Sequence, residues 1–103
     1  MKARIYNYKA WVSETNPQRL SSLLSKLLHD SGFCVLGFVE HHFKPYGYSA
    51  LWLISESHCA VHTWPEEGKS YIELSSCNGE KQQSFVRKIS KLFSREDSTT
   101  AEF

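Results

Sequence analysis

The stretch SESHCAVHTWPEEG, residues 55–68, determines more of the predicted architecture than any other part of the chain. Its β-branched and aromatic residues favour a strand from Cys59 to Trp64. The Pro-Glu-Glu-Gly sequence that ends it predicts a turn. A second alternating segment, from Ser70 to Cys77, follows at once, so the two strands are expected to pair antiparallel.

Helices and further strands are predicted on both sides of this hairpin. Asn16 suits a helix N-cap and Pro17 the first helical position, and leucines at helical spacing follow. The elements predicted around the hairpin are a strand over residues 4–12, a helix from Pro17 towards Gly32, strands over residues 33–43 and 48–55, and a second helix after Asn78-Gly79. We therefore expect an α+β fold, a two-layer sandwich with a mainly antiparallel sheet and two helices on one face. The second sheet face keeps apolar and aromatic residues, and a second copy of the chain is the simplest cover for it.

Length and composition limit the possible functions. The 103 residues correspond to one domain, predicted over residues 1–93 with a disordered polar tail at 94–103. A net charge of +1 gives no indication of binding to nucleic acid or an acidic membrane surface. No apolar run approaches the ~18 residues of a membrane span, and the N-terminus lacks a signal-peptide core. Three irregularly spaced cysteines argue against a disulfide framework and indicate a reducing cytoplasm.

One string of motifs resembles a known family. Its elements are Glu56-Ser57-His58, His62-Thr63-Trp64-Pro65-Glu66 and Cys77, preceded by Phe43, Pro45, Gly47 and Ser49. Together they resemble the self-cleavage segment of the small prokaryotic S-adenosylmethionine decarboxylases. Members of this family make a covalent pyruvoyl cofactor by breaking the peptide bond before a serine.

The resemblance implies a role for each matched residue. Cleavage would fall between Glu56 and Ser57, and the pyruvoyl group would be generated from Ser57. His62 and Ser49 would assist self-processing, and Cys77 would donate the proton that completes decarboxylation. Two further matches would bind the small-molecule substrate. Phe43 would stack on its adenine, and Glu66 would hydrogen-bond its ribose hydroxyls. The activity implied is decarboxylation of S-adenosylmethionine to the aminopropyl donor of spermidine synthesis.

The expected chemistry at Ser57 is an N-to-O acyl shift, in which the hydroxyl attacks the preceding carbonyl and the amide becomes an ester. Loss of the α-proton with elimination leaves a dehydroalanine, which hydrolyses to the pyruvoyl group and ammonia. Because a peptide bond is otherwise very stable, the reaction needs a strained turn and a well-placed base.

The chain departs from the family pattern at three places near the expected site. The first strand lacks a Gly-x-His segment, and Ser75 and Asn78 stand where relatives tend to have Phe and Gly. The self-cleavage motif is intact, so these differences concern the substrate. Two alternatives therefore remain open: the same chemistry on ornithine or arginine, and a non-catalytic paralogue that regulates an active partner.

A metal site is a competing interpretation of the same region. Its candidate ligands are His41, His42, His58, Cys59 and His62. On the predicted strand, however, His58 and His62 would be ~13 Å apart, which is too far for two ligands of one ion. We therefore expect no metal at this site.

The two serines assigned to one reaction raise a question of distance. On a single uninterrupted strand, Ser49 and Ser57 would be ~26 Å apart. Either the strand bends sharply, or the two serines act in different sites. The second alternative suits a two-fold dimer of processed chains, with Ser49 and His62 of one subunit next to Ser57 and Cys77 of the other. We therefore expect a homodimer with two composite sites.

Overall fold

The computed structural model describes residues 3–55, 57–93 and 99–100. In chain order its elements are β1 (Tyr6–Val12), α1 (Pro17–Asp30), β2 (Val35–His42), β3 (Tyr48–Ile54), β4 (Ser57–Trp64), a 3₁₀ turn (Pro65–Glu67), β5 (Lys69–Ser76), α2 (Gly79–Leu92) and β6 (Thr99–Thr100). The strands form one sheet in the order β2-β3-β4-β5-β1-β6, and the neighbouring strands are antiparallel.

Both long helices begin where the sequence has an asparagine cap. Asn16 accepts a hydrogen bond from the Arg19 N–H at 3.0 Å, and Pro17 follows at the first helical position. Asn78 caps α2 in the same way, accepting from the Lys81 N–H at 3.0 Å. The start of α1 predicted from the sequence is thereby confirmed.

The core lies between one sheet face and the two helices. Leu20 and Leu24 of α1 and Phe85 of α2 are fully buried against Trp52 and Ile72 of the sheet. The Trp52 indole also donates to Ser25 Oγ at 3.0 Å, which ties β3 to α1. Alternate residues of β3 and β5 are buried, as expected when a single sheet face is covered. The predicted α+β sandwich with both helices on one face is confirmed.

The prediction that Ser49 and Ser57 share a strand is wrong. β3 ends at Ile54, and Ser57 begins β4, which runs back antiparallel with Ser57 opposite Ile54. The sequence predicts one strand that ends at residue 55 and another that begins at Cys59 but indicates no turn between them, because Ser55-Glu56 has none of the Gly, Pro or Asn residues that usually mark one. Glu56, the expected residue before the cleaved bond, lies outside the described residues.

The predicted tail at residues 94–103 also lies mostly outside the described residues. Its described part, Thr99–Thr100, pairs with Ala10 and Trp11 of β1.

Candidate active site on the open sheet face

The open face is the side of the sheet away from the helices, and it carries a close serine–histidine pair. Ser49 of β3 and His62 of β4 are direct partners across the two strands. Ser49 Oγ and His62 Nδ1 lie 2.7 Å apart, within hydrogen-bonding distance. The pair could therefore hold the imidazole in one orientation and move a proton.

A pocket of about 510 Å³ surrounds this pair at one end of the open face, which we call the Ser49 end. Besides Ser49 and His62, its lining includes Phe43, Tyr46 and Glu66. The turn before β3 places Phe43 there, since the Phe43 N–H donates to the Gly47 carbonyl at 2.8 Å. Gly47 has a φ of 115°, a conformation that favours glycine. Four residues predicted from the sequence, two for processing and two for substrate binding, thus share one pocket.

Ser57 lies at the opposite end of β4, which we call the Ser57 end. Its φ of 150° makes it the one non-glycine residue with positive φ in the described part of the chain. Such a conformation costs on the order of 1–3 kcal/mol and persists only where the surrounding structure holds it. Ser57 Oγ lies 3.2 Å from Nδ1 of His58. The strain and the neighbouring base that peptide cleavage requires are therefore both present at this serine.

Cys77 belongs to the same end. Ser57 pairs with Ser76, the last residue of β5, and Cys77 follows immediately and is exposed. The Ser76 hydroxyl fixes this turn, because it donates to the Asn78 carbonyl and accepts from the Asn78 N–H, both at 3.2 Å. Cys77 thus lies at the end of β5, beside the start of the strand that carries Ser57.

Within one chain, the two ends remain separate. His62 and Ser57 are five residues apart on β4, which corresponds to ~17 Å. The structure therefore brings together Ser49, His62, Phe43 and Glu66, and separately Ser57 and Cys77, but does not join the two groups within one subunit.

Sequence reasoning missed a second polar cluster on the open face. Glu73 of β5 accepts a hydrogen bond from the Tyr71 hydroxyl at 3.1 Å, and its other oxygen lies 3.9 Å from His58 Nε2. Burial, followed by the nearby Glu73 charge, raises the pKa of Tyr71 to about 12, so its hydroxyl keeps the proton it donates. His58, Glu73, Ser49 and His62 all line a central groove of about 460 Å³. The alternation of side chains along a strand could have indicated part of this cluster, because residues 71 and 73 lie on the same face of β5.

The residues that depart from the family pattern have structural partners. The Ser75 hydroxyl donates to Asn7 Oδ1 of β1 at 2.5 Å, and Asn78 caps α2. Both substitutions thus fit the local structure without disturbing the Ser49–His62 pair.

The metal-site alternative gains no support. Cys59 is fully buried on the helix side of the sheet, and burial raises the pKa of its thiol, whereas His58 and His62 line the open face. Among the described residues, no three His, Cys, Asp or Glu side chains are grouped to hold an ion.

No helix in the described ranges is both long enough and apolar enough to cross a membrane.

Comparison with known proteins gives consistent matches. The family model for S-adenosylmethionine decarboxylase matches residues 8–103. The S-adenosylmethionine decarboxylase proenzyme of Thermotoga maritima is 39% identical over 62 residues, which cover 60% of this chain and 48% of the relative. That of Thermosipho melanesiensis is 32% identical over 80 residues, or 74% of this chain and 62% of the relative. The matched part of the chain thus spans about half the length of these curated relatives.

The fold also has a counterpart among solved structures. The crystal structure of the adenosylmethionine decarboxylase from Aquifex aeolicus superposes with a TM-score of 0.80 at 18% sequence identity. The superposition covers 98% of this chain and 89% of that one, so the two proteins share a fold.

Proposed function

The chain belongs to the S-adenosylmethionine decarboxylase family, and from that premise we propose that it is a self-processing, pyruvoyl-dependent decarboxylase of S-adenosylmethionine. Its product would be the aminopropyl donor for spermidine synthesis. The observation that carries the proposal is the geometry of Ser57, which combines a strained φ of 150° with an imidazole nitrogen 3.2 Å from its hydroxyl. These are the two features that cleavage of the preceding peptide bond requires.

The residues around Ser57 fit a pyruvoyl group formed in place. Once formed, the group supplies a carbonyl that condenses with the substrate amine and withdraws electrons as carbon dioxide leaves. Cys77, exposed and fixed by the Ser76–Asn78 turn, would hold the proton that is delivered at the end of the reaction. His62, oriented by Ser49, would take the α-proton of Ser57 during processing.

We propose that the working unit is a homodimer with two composite sites. A two-fold axis running across the strands between two facing sheets would place the Ser49 end of one subunit over the Ser57 end of the other. Such an axis would pass near Ala60, which lies between His62 and Ser57 on β4 and is small enough for close approach. The surrounding open face carries exposed apolar side chains, among them Val39, Leu51 and Leu53. These would supply the buried surface of the interface.

The pocket at the Ser49 end suits a nucleoside substrate. The Phe43 ring, with Tyr46 beside it, offers a stacking surface for adenine, and the Glu66 carboxylate can accept hydrogen bonds from ribose hydroxyls. The three cysteines of the chain are unpaired thiols, and two of them are exposed. This fits the reducing cytoplasm that we propose as the location of the protein.

Intact-mass analysis of the purified protein tests the self-cleavage. The wild-type chain should yield one fragment ending at Glu56 and one beginning with a pyruvoyl group in place of Ser57. Ser57→Ala should stay a single chain, whereas Ser22→Ala, an exposed serine on α1, should cleave normally. Release of carbon dioxide is then measured with S-adenosylmethionine, ornithine and arginine. Turnover of either amino acid without turnover of S-adenosylmethionine would replace the proposed substrate, and full activity in Ser57→Ala would contradict the cofactor assignment.

A further inference from the structure

Among the described residues, the imidazole within reach of the Ser57 hydroxyl is not the one that the family resemblance assigns to processing. His62 is engaged by Ser49 and lies ~17 Å along β4 from Ser57 within one subunit. His58 Nδ1, by contrast, is 3.2 Å from Ser57 Oγ. We infer that His58, oriented by Glu73, is the general base that starts cleavage at Ser57, and that it acts within a single subunit. This inference rests on the proposed self-cleavage.

The contact between Ser57 and His58 depends on the strained backbone. Consecutive side chains of a regular strand point to opposite faces, so neighbouring residues do not normally meet. At Ser57, φ is 150° instead of the negative value of an ordinary strand residue, and the hydroxyl reaches the imidazole of the next residue. The unusual backbone thus brings nucleophile and base together as well as straining the chain next to the bond that breaks.

Glu73 completes a three-residue chain on the open face. Its Oε1 lies 3.9 Å from His58 Nε2, which is an ion-pair distance, and its Oε2 is held by the Tyr71 hydroxyl at 3.1 Å. The Glu73 side chain is 29% exposed, so its charge is only partly screened by water. A carboxylate in this position, close to Nε2, can hold the imidazole ring with Nδ1 facing the Ser57 hydroxyl. Glu73 is therefore a positioning residue that acts through His58.

The proton balance of the acyl shift can be followed with these groups alone. His58 Nδ1 takes the proton of the Ser57 hydroxyl as Oγ forms a bond to the Glu56 carbonyl carbon. The bond from that carbon to the Ser57 nitrogen then breaks, and the imidazolium returns its proton to the departing amine. An amide has become an ester, no oxidant or other reactant is consumed, and the base is regenerated.

Two histidines would then serve two successive steps. His58 would drive the acyl shift within its own subunit, and His62 with Ser49 of the partner subunit would remove the α-proton in the elimination that follows. Loss of the second step alone should leave the ester in place. Loss of the first should leave an ordinary peptide bond.

The experiment separates these two steps chemically. Neutral hydroxylamine cleaves the ester but leaves an ordinary peptide bond intact, so fragments whose masses correspond to a break before Ser57 report a completed shift. His62→Ala should remain uncleaved alone and should split on hydroxylamine treatment. His58→Ala should form the ester about 100-fold or more slowly, so neither treatment should split it within the time that converts His62→Ala. His29→Ala, an exposed histidine on α1, is the matched control and should process as wild type.

Additional variants test whether the effect belongs to the base. His58→Gln keeps a polar side chain of similar size on this half-exposed strand position and should fail at the same step. Added imidazole should restore part of the shift in His58→Ala. In the His62→Ala background, Glu73→Gln should slow the appearance of the hydroxylamine-labile ester, and Glu73→Asp should recover part of that rate. Glu80→Gln, an exposed carboxylate of α2, serves as the control.

Wild-type cleavage in His58→Ala, or accumulation of the labile ester in that variant, would overturn the assignment of His58 and leave the proposed function intact. Failure of the wild-type chain to split, with no labile ester formed, would overturn both proposals.

Discussion

Mixing two inactive variants tests the composite site most directly. Ser49→Ala removes the hydroxyl that lies 2.7 Å from His62, and Ser57→Ala removes the nucleophile. Each variant alone should remain a single chain. In a heterodimer, however, the Ser57 of one chain would face an intact Ser49–His62 pair on the other, so one of the two sites would be complete.

The expected yield follows from the separation of the two ends. Since ~17 Å divides His62 from Ser57 within a chain, a Ser49→Ala chain can be rescued only by a partner. Equal mixing with free exchange places about half of the Ser49→Ala chains in heterodimers of a two-fold assembly. About half of all the Ser49→Ala chains, and none of the Ser57→Ala chains, should therefore cleave before any further exchange.

The assay needs subunits that can be told apart by mass. One variant carries a short affinity tag, the two are mixed in mild denaturant, and dilution allows them to reassociate. Recovery of the untagged variant through the tag on its partner demonstrates the heterodimer, and intact mass then identifies which chain has split. His62→Ala in place of Ser49→Ala should give the same pattern, because it removes the other member of the pair.

Isolated heterodimers that never cleave would refute the shared site. Cleavage of the Ser57→Ala chain would refute the assignment of the nucleophile. Cleavage of Ser49→Ala on its own at the wild-type rate would show that the Ser49 hydroxyl is not needed.

Two further predictions concern decarboxylation. Cys77→Ala should still cleave but lose about 100-fold or more in turnover, because the proton donor is missing. Intact mass should also show conversion of the pyruvoyl end to alanine by misdirected protonation. Wild-type turnover in this variant would remove Cys77 from the mechanism. Glu66→Gln should process normally and raise KM for S-adenosylmethionine by about 10-fold, since a charged acceptor for the ribose hydroxyls is lost. Steady-state release of carbon dioxide measures this KM. The control is Glu67→Gln, which should leave KM unchanged because Glu67 is next to Glu66 but outside the lining of the pocket.

The parts of the fold that were predictable depend on local chemistry. Asn16-Pro17 marks the start of α1, and the alternation around Ile72 identifies β5 and its buried face. The turn between Ile54 and Ser57 has no distinctive residue, so the sequence places neither the end of β3 nor the start of β4 and does not show that the chain reverses between Ser49 and Ser57. Local sequence patterns identify helices and strands where a residue type strongly favours one conformation, such as a helix cap or an alternating strand.

The site was only partly predictable because it depends on register. Motif resemblance named Ser49 and His62 separately, but their contact follows from the pairing of β3 with β4. The approach of Glu73 to His58 follows from the register of β4 with β5, and the contact of His58 with Ser57 follows from the unusual backbone of Ser57. Neither is encoded within a short window, so sequence reasoning could name the chemical groups without placing them.

The spacing of the two strand histidines has a different meaning once the register is known. His58 and His62 are four residues apart, which puts them on one face at ~13 Å and disfavours a shared metal ion. The same spacing suits two separate proton-transfer steps. In a two-fold dimer, the His62 that serves one Ser57 would come from the facing sheet, while His58 would stay beside it on the same strand. A scissile serine bracketed by imidazoles from two subunits could begin the acyl shift alone but complete the elimination only after assembly.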